Sequence, residues 1–185
     1  KKNGLDKVFV HCFLDGRDTP PASGKDYVAE LVDKMHEIGV GEVGVVSGRY
    51  YAMDRDTNWD RIKIAYDMLT TGEAPKFDNI FAAVADAYAK DENDEFIKPR
   101  ITPDFAPVSD NDAVIFFNYR LDRTREMTKA FVENGCKAFA FVEGDSVLLK
   151  IQAKKNTERS KTGILEGHFV TLDEALAWLK EEVNL

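Results

Sequence analysis

Arg17 and Asp18, Arg49 and Arg55, and Arg120 and Arg123 stand in three short polar stretches, each close behind an apolar run. A guanidinium group is a planar fork of donors that can grip a carboxylate or a phosphate through two parallel bonds. Five such forks suit a small ligand with an anion at each end, such as a phosphorylated hydroxy acid. Asp15, Asp54, Asp56 and Asp122 lie among them and would hold the forks against their mutual repulsion. A plainer arrangement is equally open at any one arginine: each pairs with a neighbouring aspartate and serves only as a loop clamp. Asp18 also reads two ways. A carboxylate among arginines could orient or deprotonate a substrate hydroxyl. On pattern it fits an Asx turn or helix-entry cap before Pro20-Pro21 better.

Other chemistries leave no trace. The sequence has no HExxH, Walker phosphate loop, GxGxxG, serine elbow or cluster of metal ligands, and no nucleophile can be located. His11 lies inside an apolar run and reads as a packed core histidine; His36 and His168 have no evident partner. Cys12 and Cys136 sit in apolar runs without CxxC spacing and read as reduced core residues.

The elements that must position the arginines follow from periodicity. Residues 8–13 read as a buried strand. Tyr27, Val28, Leu31, Val32, Met35 and Ile38 then recur at helical spacing between a Ser23 cap and a Gly39 stop. A second strand at 43–47 completes a strand–helix–strand unit with a right-handed crossover. The next helix starts near Trp59, capped by Asp56 or Thr57, and stops near Gly72. Another helix is expected at 78–90, a strand at 96–101, a strand at 113–117 and a helix to about Glu133. The fold class is α/β, with a three-layer, mainly parallel sheet and helices on both faces. In such a sheet the ends of strands 8–13, 43–47 and 113–117 share one edge, where ligands bind.

Composition sets the outer limits. The chain has 185 residues, 44% hydrophobic and 31% charged, which describes a globular protein with a real core. A net charge of −8 argues against general nucleic-acid or anionic-membrane binding. No apolar run is long enough to span a membrane, and no signal peptide is visible. The first residue is Lys1 rather than Met, so a fragment of a longer protein is expected.

Three blocks carry a resemblance. They are His11-Cys12-Phe13-Leu14-Asp15-Gly16-Arg17-Asp18-Thr19-Pro20-Pro21, then Ser47-Gly48-Arg49-Tyr50-Tyr51-Ala52-Met53-Asp54-Arg55-Asp56 with Trp59-Asp60-Arg61, then Phe116-Phe117-Asn118-Tyr119-Arg120-Leu121-Asp122-Arg123. Together they resemble cofactor-independent phosphoglycerate mutase, the kind that does not use 2,3-bisphosphoglycerate. Ala87-Tyr88-Ala89 and Asp94-Glu95-Phe96-Ile97 fit the same pattern, and the resemblance covers about residues 4–132. It implies the inserted substrate-binding domain of a two-domain cytoplasmic enzyme of glycolysis and gluconeogenesis. The family's other domain, phosphatase-like, carries two manganese ions and a serine nucleophile and would be the partner; no cofactor is expected on this chain. The reaction moves phosphate from the 3-hydroxyl of phosphoglycerate to the serine and returns it to the 2-hydroxyl. By motif match, Arg17, Asp18, Arg49 and Arg55 would contact 2- or 3-phosphoglycerate, and Arg120 and Arg123 would grip its phosphate end. Asp18 would be the one proton shuttle offered by a chain otherwise without catalytic residues.

Two departures accompany the resemblance. The family's substrate-contacting histidine lies ahead of Lys1, with the nucleophile and metal ligands also outside the chain, so these residues alone are expected to be inactive. After about Glu133 the resemblance stops, giving expected domains at 1–132 and 133–185. In the tail, 137–142 and 146–151 read as strands, 154–161 as a basic solvated loop, and Thr171 to Glu174 as a capping box. Residues 169–179 resemble the closing helix of STAS-like domains. The rival reading is therefore a non-catalytic chimera or STAS-like interaction module whose arginines are structural clamps.

Overall fold

The computed structural model describes residues 4, 7–110, 112–118, 120–136, 138–142, 165–169 and 171–183. The chain divides into two compact units, Lys1–Met127 and Thr128–Leu185.

In the first unit, β1 (Phe9–Leu14) pairs in parallel with β2 (Glu42–Gly48), and α1 (Gly24–Ile38) connects them. The register slips between Val10 and His11, which leaves Gly44 as the extra residue of a bulge. α1 ends where Gly39 turns left-handed, at φ 72°. Ser23 precedes α1, but its hydroxyl donates to the Pro20 carbonyl (2.9 Å) instead of capping a helix N–H. α2 (Arg49–Ala52) is a single turn leaving β2, and α3 (Trp59–Thr71) closes on Gly72. Asn58, with no cap bond from its side chain, takes the cap position expected of Asp56 or Thr57. α4 (Ile80–Ala89) is capped by Asn79, whose side chain accepts from Ala82 N at 2.9 Å. Val28 and Met35 of α1, Val43 and Val46 of β2, and Ile80, Ala83, Val84 and Ala87 of α4 form one core with Cys12, Leu14 and Ile97.

The architecture is mixed α/β, with two differences from expectation. Most of 96–101 is not strand: 94–96 forms a 3-10 turn and only β3 (Arg100–Ile101) pairs, antiparallel to β2. The sheet is thus three-stranded, in the order β1-β2-β3, with one parallel and one antiparallel pair. Residues 112–118 form no strand, and Val114, Ile115 and Phe117 are exposed. An apolar run becomes a strand only when a neighbouring edge accepts its backbone bonds, and period alone does not supply that edge. α5 (Arg125–Glu133) follows.

In the second unit, β4 (Ala138–Val142) and β5 (Leu165–Phe169) pair in parallel, and α6 (Leu172–Val183) follows. The capping box forms: Glu174 N donates to Thr171 Oγ1 (3.3 Å) and Thr171 N to Glu174 Oε2 (3.1 Å). Phe169 and Trp178 pack with ring centroids 5.4 Å apart. The strand expected at 146–151 and the loop at 154–161 lie outside the described residues. Among the described residues, no helix is long and apolar enough to cross a membrane.

Candidate functional site

Because β1 and β2 are parallel and in register at Leu14 and Gly48, the loops that leave them start side by side. The first loop folds around Asp15, whose Oδ1 accepts from Arg17 N (2.9 Å) and Asp18 N (2.8 Å). Two glycines let the 3-10 turn close on both strand ends. At Gly16, with φ 64°, a Cβ would lie 2.5 Å from Glu95 N. At Gly48 it would lie 2.2 Å from Glu95 O, and Gly48 N donates to Ile97 O at 2.7 Å. The turn is anchored beneath by buried Asp94, which accepts from Gly24 N (2.7 Å) and the Tyr88 hydroxyl (2.5 Å).

Arg49 opens α2 and is 5% exposed. Its Nη1 donates to Asp15 Oδ1 (2.6 Å) and Asp18 Oδ2 (2.9 Å), tying the two strand-end loops together. Burial works against the charge on Asp15. The Asp18 and Arg17 N–H groups and the Arg49 fork outweigh it and hold the carboxyl below its ordinary range. Arg17, largely exposed, reaches Glu95 Oε1 at 3.2 Å.

The third arginine stretch meets the second across Asp122. Arg55 Nη1 donates to Asp122 Oδ2 (2.9 Å), while Arg120 grips the same carboxylate with Nε (3.1 Å) and Nη2 (2.8 Å). Against the effect of burial, these bonds from Arg120 and Arg55 push the Asp122 pKa down. Arg123 differs. Its Nη1 donates to the Met53 carbonyl at 3.0 Å, its Nε is buried without a partner, and no carboxylate among the described residues forms an ion pair with it. Burial, then the charges of Arg49 and Arg55, lower its pKa, with Asp122 opposing. A partly desolvated guanidinium crowded by like charge is stabilised by an incoming anion.

These loops enclose a cleft of about 400 Å³. Arg17, Asp18, Arg49, Arg55, Arg120 and Arg123 all line it, so every site residue picked out in the sequence is brought together. The convergence does not need the third strand: the stretch bearing Arg120 and Arg123 arrives from an irregular segment and a 3-10 turn at Leu121–Arg123. Sequence reasoning missed Arg61, Tyr50, Glu95 and Phe96, which line the cleft too. Arg61 lies 4.0 Å over the Tyr50 ring and donates to Asp54 Oδ2 at 3.3 Å. It was legible only as a surface charge of α3, although it stands in the Trp59-Asp60-Arg61 segment next to the second arginine stretch. Six arginines against Asp18, Asp54, Asp56 and Glu95 leave the lining net positive on a chain of charge −8.

The arrangement can bind a polyanion and, through Asp18, accept a proton from a bound hydroxyl. Among the described residues, no group of three or more His, Cys, Asp or Glu side chains is placed to hold a metal ion. His11 stays out of the cleft lining; its ring packs edge-on against Phe105, 5.5 Å between centroids, and burial lowers its pKa to about 4. Burial likewise pushes the Cys12 thiol up to about 12, away from reactivity.

The family model for the BPG-independent PGAM N-terminus matches residues 1–173, running on past the resemblance read at 4–132. The chain is 48% identical over 143 residues to the 2,3-bisphosphoglycerate-independent phosphoglycerate mutase of Clostridium perfringens (strain 13), covering 75% of this chain and 28% of that protein. It is 48% identical over 148 residues to the enzyme of the same name from Acetivibrio thermocellus, covering 78% and 29%. Among solved structures, Leishmania mexicana phosphoglycerate mutase at low cobalt concentration superposes with a TM-score of 0.65 at 28% identity, over 75% of this chain and 28% of that one. The chain therefore spans between a quarter and a third of the length of these relatives.

Proposed function

The chain belongs to the BPG-independent phosphoglycerate mutase family, and from that membership we propose that it is the part of such an enzyme that holds the glycerate substrate. The observation that carries the reading is the cleft: six arginines face one space, and one of them, Arg123, has no carboxylate of its own among the described residues. The ligand is 2- or 3-phosphoglycerate. Arg123 and Arg120 take the phosphate end; Arg17, Arg49 and Arg55 face the carboxylate end; Asp18 is on the wall beside Arg49, where it can take up the proton of a glycerate hydroxyl. The 3- to 2-phosphoglycerate interconversion, through a phosphoserine and a manganese pair, belongs to a phosphatase-like partner domain. Among the described residues no group of three or more His, Cys, Asp or Glu side chains is placed to hold a metal ion, and the manganese pair is assigned to that partner domain. On this reading the chain takes its place in a three-layer, mainly parallel sheet of the whole cytoplasmic enzyme.

Titration calorimetry tests the proposal. The 185-residue chain is expected to bind 3-phosphoglycerate weakly, with affinity falling as salt is raised, and to show no turnover with manganese. Absence of any salt-sensitive binding would remove the substrate assignment, and full mutase activity would remove the division of labour.

One observation favours a second reading. Arg49 Nη1 already donates to both Asp15 and Asp18, which is how a structural clamp behaves. The two roles separate on Arg49→Ala: a ligand contact loses binding with stability kept, and a clamp loses stability first.

A further inference from the structure

Between α2 and α3 the backbone makes a turn that it would not hold unaided. Thr57, a β-branched residue, stands at φ 65°, in the left-handed region that such side chains avoid. Two carboxyl groups pin it. Asp54 Oδ1 accepts from Asp56 N (2.9 Å) and Asn58 N (3.0 Å), and its Oδ2 from Asn58 Nδ2 (2.9 Å) and Arg61 Nη1 (3.3 Å). From α5, Glu126 reaches over and accepts from Thr57 N at 2.8 Å through Oε1. Glu126 is 5% exposed and Asp54 6% exposed, so both carboxyls are out of water.

The other oxygen of Glu126 has no donor. Oε2 is buried without a hydrogen-bond partner, in the field of the Asp54 carboxylate. Asp54 is itself held by three N–H groups and a guanidinium. Burial raises the Glu126 pKa, Thr57 N opposes, and the neighbouring Asp54 and Asp56 charges raise it further. Burial would raise Asp54 as well, but its bonds from Asn58 and Asp56 lower it.

The pinned turn carries the cleft. Arg55 projects from it to Asp122, and Met53, just ahead of it, supplies the carbonyl that holds Arg123. We propose that Glu126 is a positioning residue for the cleft: its Oε1 holds the Thr57 N–H and with it the strained turn that places Arg55 and Arg123. The proposal rests on the substrate reading above only for its binding readout. The charged groups facing Glu126 are Asp54, Asp56 and, through Asp54, Arg61.

Glu126→Gln and Glu126→Ala test this on the whole chain. Glutamine offers a carbonyl to Thr57 N and an N–H to Asp54 at every pH; alanine offers neither. Two measurements are made at one pH: affinity for 3-phosphoglycerate by calorimetry, and exchange of the Thr57 amide by NMR. Glu126→Gln should match the parent's affinity within about twofold, while Glu126→Ala binds about tenfold more weakly, the worth of one buried hydrogen bond. Thr57 exchange should stay slow in the parent and the glutamine variant and speed up in the alanine variant. A glutamine variant as weak as the alanine variant, or an alanine variant equal to the parent in both readouts, overturns the proposal. If the parent binds no 3-phosphoglycerate but Thr57 exchange follows the expected order, the positioning role stands and the substrate reading falls. If Glu126→Ala does not fold, Thr57 exchange in Glu126→Gln against the parent decides alone: equal protection supports the role and faster exchange overturns it.

Discussion

At the scale of single residues, the arginines of the cleft divide by what they already hold. Arg49 is buried between two carboxylates, and Arg123 is partly desolvated with no carboxylate partner among the described residues. Arg49→Ala leaves Asp15 and Asp18 without their guanidinium: as a clamp its loss lowers stability by about 2 kcal/mol, below the full cost of a broken buried pair because Asp18 is largely solvated, whereas as a ligand contact its loss leaves stability largely kept. Arg123→Ala relieves like-charge crowding, so chemical denaturation should show little change. Calorimetry should show at least a tenfold loss of 3-phosphoglycerate affinity, the scale of a lost charge-assisted bond. Equal stability losses in the two variants would mean that both are clamps. Much of the site was legible at this scale, because forked cations in three short loops announce an anion whatever the backbone does. Glu95, Arg61 and Glu126 were not, since each stands in a helix or short turn where a charge usually means solvent contact.

At the scale of elements, the cleft depends on how closely the 94–96 turn meets the ends of β1 and β2. Gly48 sits where any Cβ would press on the Glu95 carbonyl at 2.2 Å, a backbone atom that cannot swing aside. Gly48→Ala should cost about 3 kcal/mol in denaturant unfolding, with loss of ligand binding, as expected for overpacking against a fixed neighbour. The helices and the β1–α1–β2 unit were readable because their apolar period and their glycine stops are local. Residues 113–117 were misread as a strand because a strand also needs a partner edge, which is a property of the sheet and not of the segment. β1 itself carries a pH signature. His11 is neutral in the fold, with a pKa near 4 against an ordinary 6.5, so its contribution is present above 6.5 and is lost as pH falls toward 4. Thermal midpoints should drop across that window, and His11→Gln should flatten the drop; an unchanged slope would show that the ring is not the titrating group.

At the scale of the whole molecule, charge placement matters more than net charge. The carboxyls of Asp15, Asp54 and Asp122 are all held below their ordinary 3.8, so their stabilisation is present above that value and fades on further acidification through the depressed pKa values. Each compact unit contains one tryptophan, Trp59 in the first and Trp178 in the second. Fluorescence of Trp59→Phe should therefore follow the unfolding of Thr128–Leu185, and that of Trp178→Phe the unfolding of Lys1–Met127. Distinct midpoints are expected from two separate cores; superimposable curves would mean one cooperative body. A last consequence belongs to Asp122. One carboxylate, Asp122, holds both Arg55 and Arg120 at the cleft wall, gripped by Arg120 in the bidentate manner of a small anion. The protein thus carries an internal surrogate for its guest. Arrival of a ligand is then an exchange of one anion for another, in which the arginines change partner without being stripped of one. Departure is the same exchange in reverse, so the surrogate waiting beside the cleft would keep residence short.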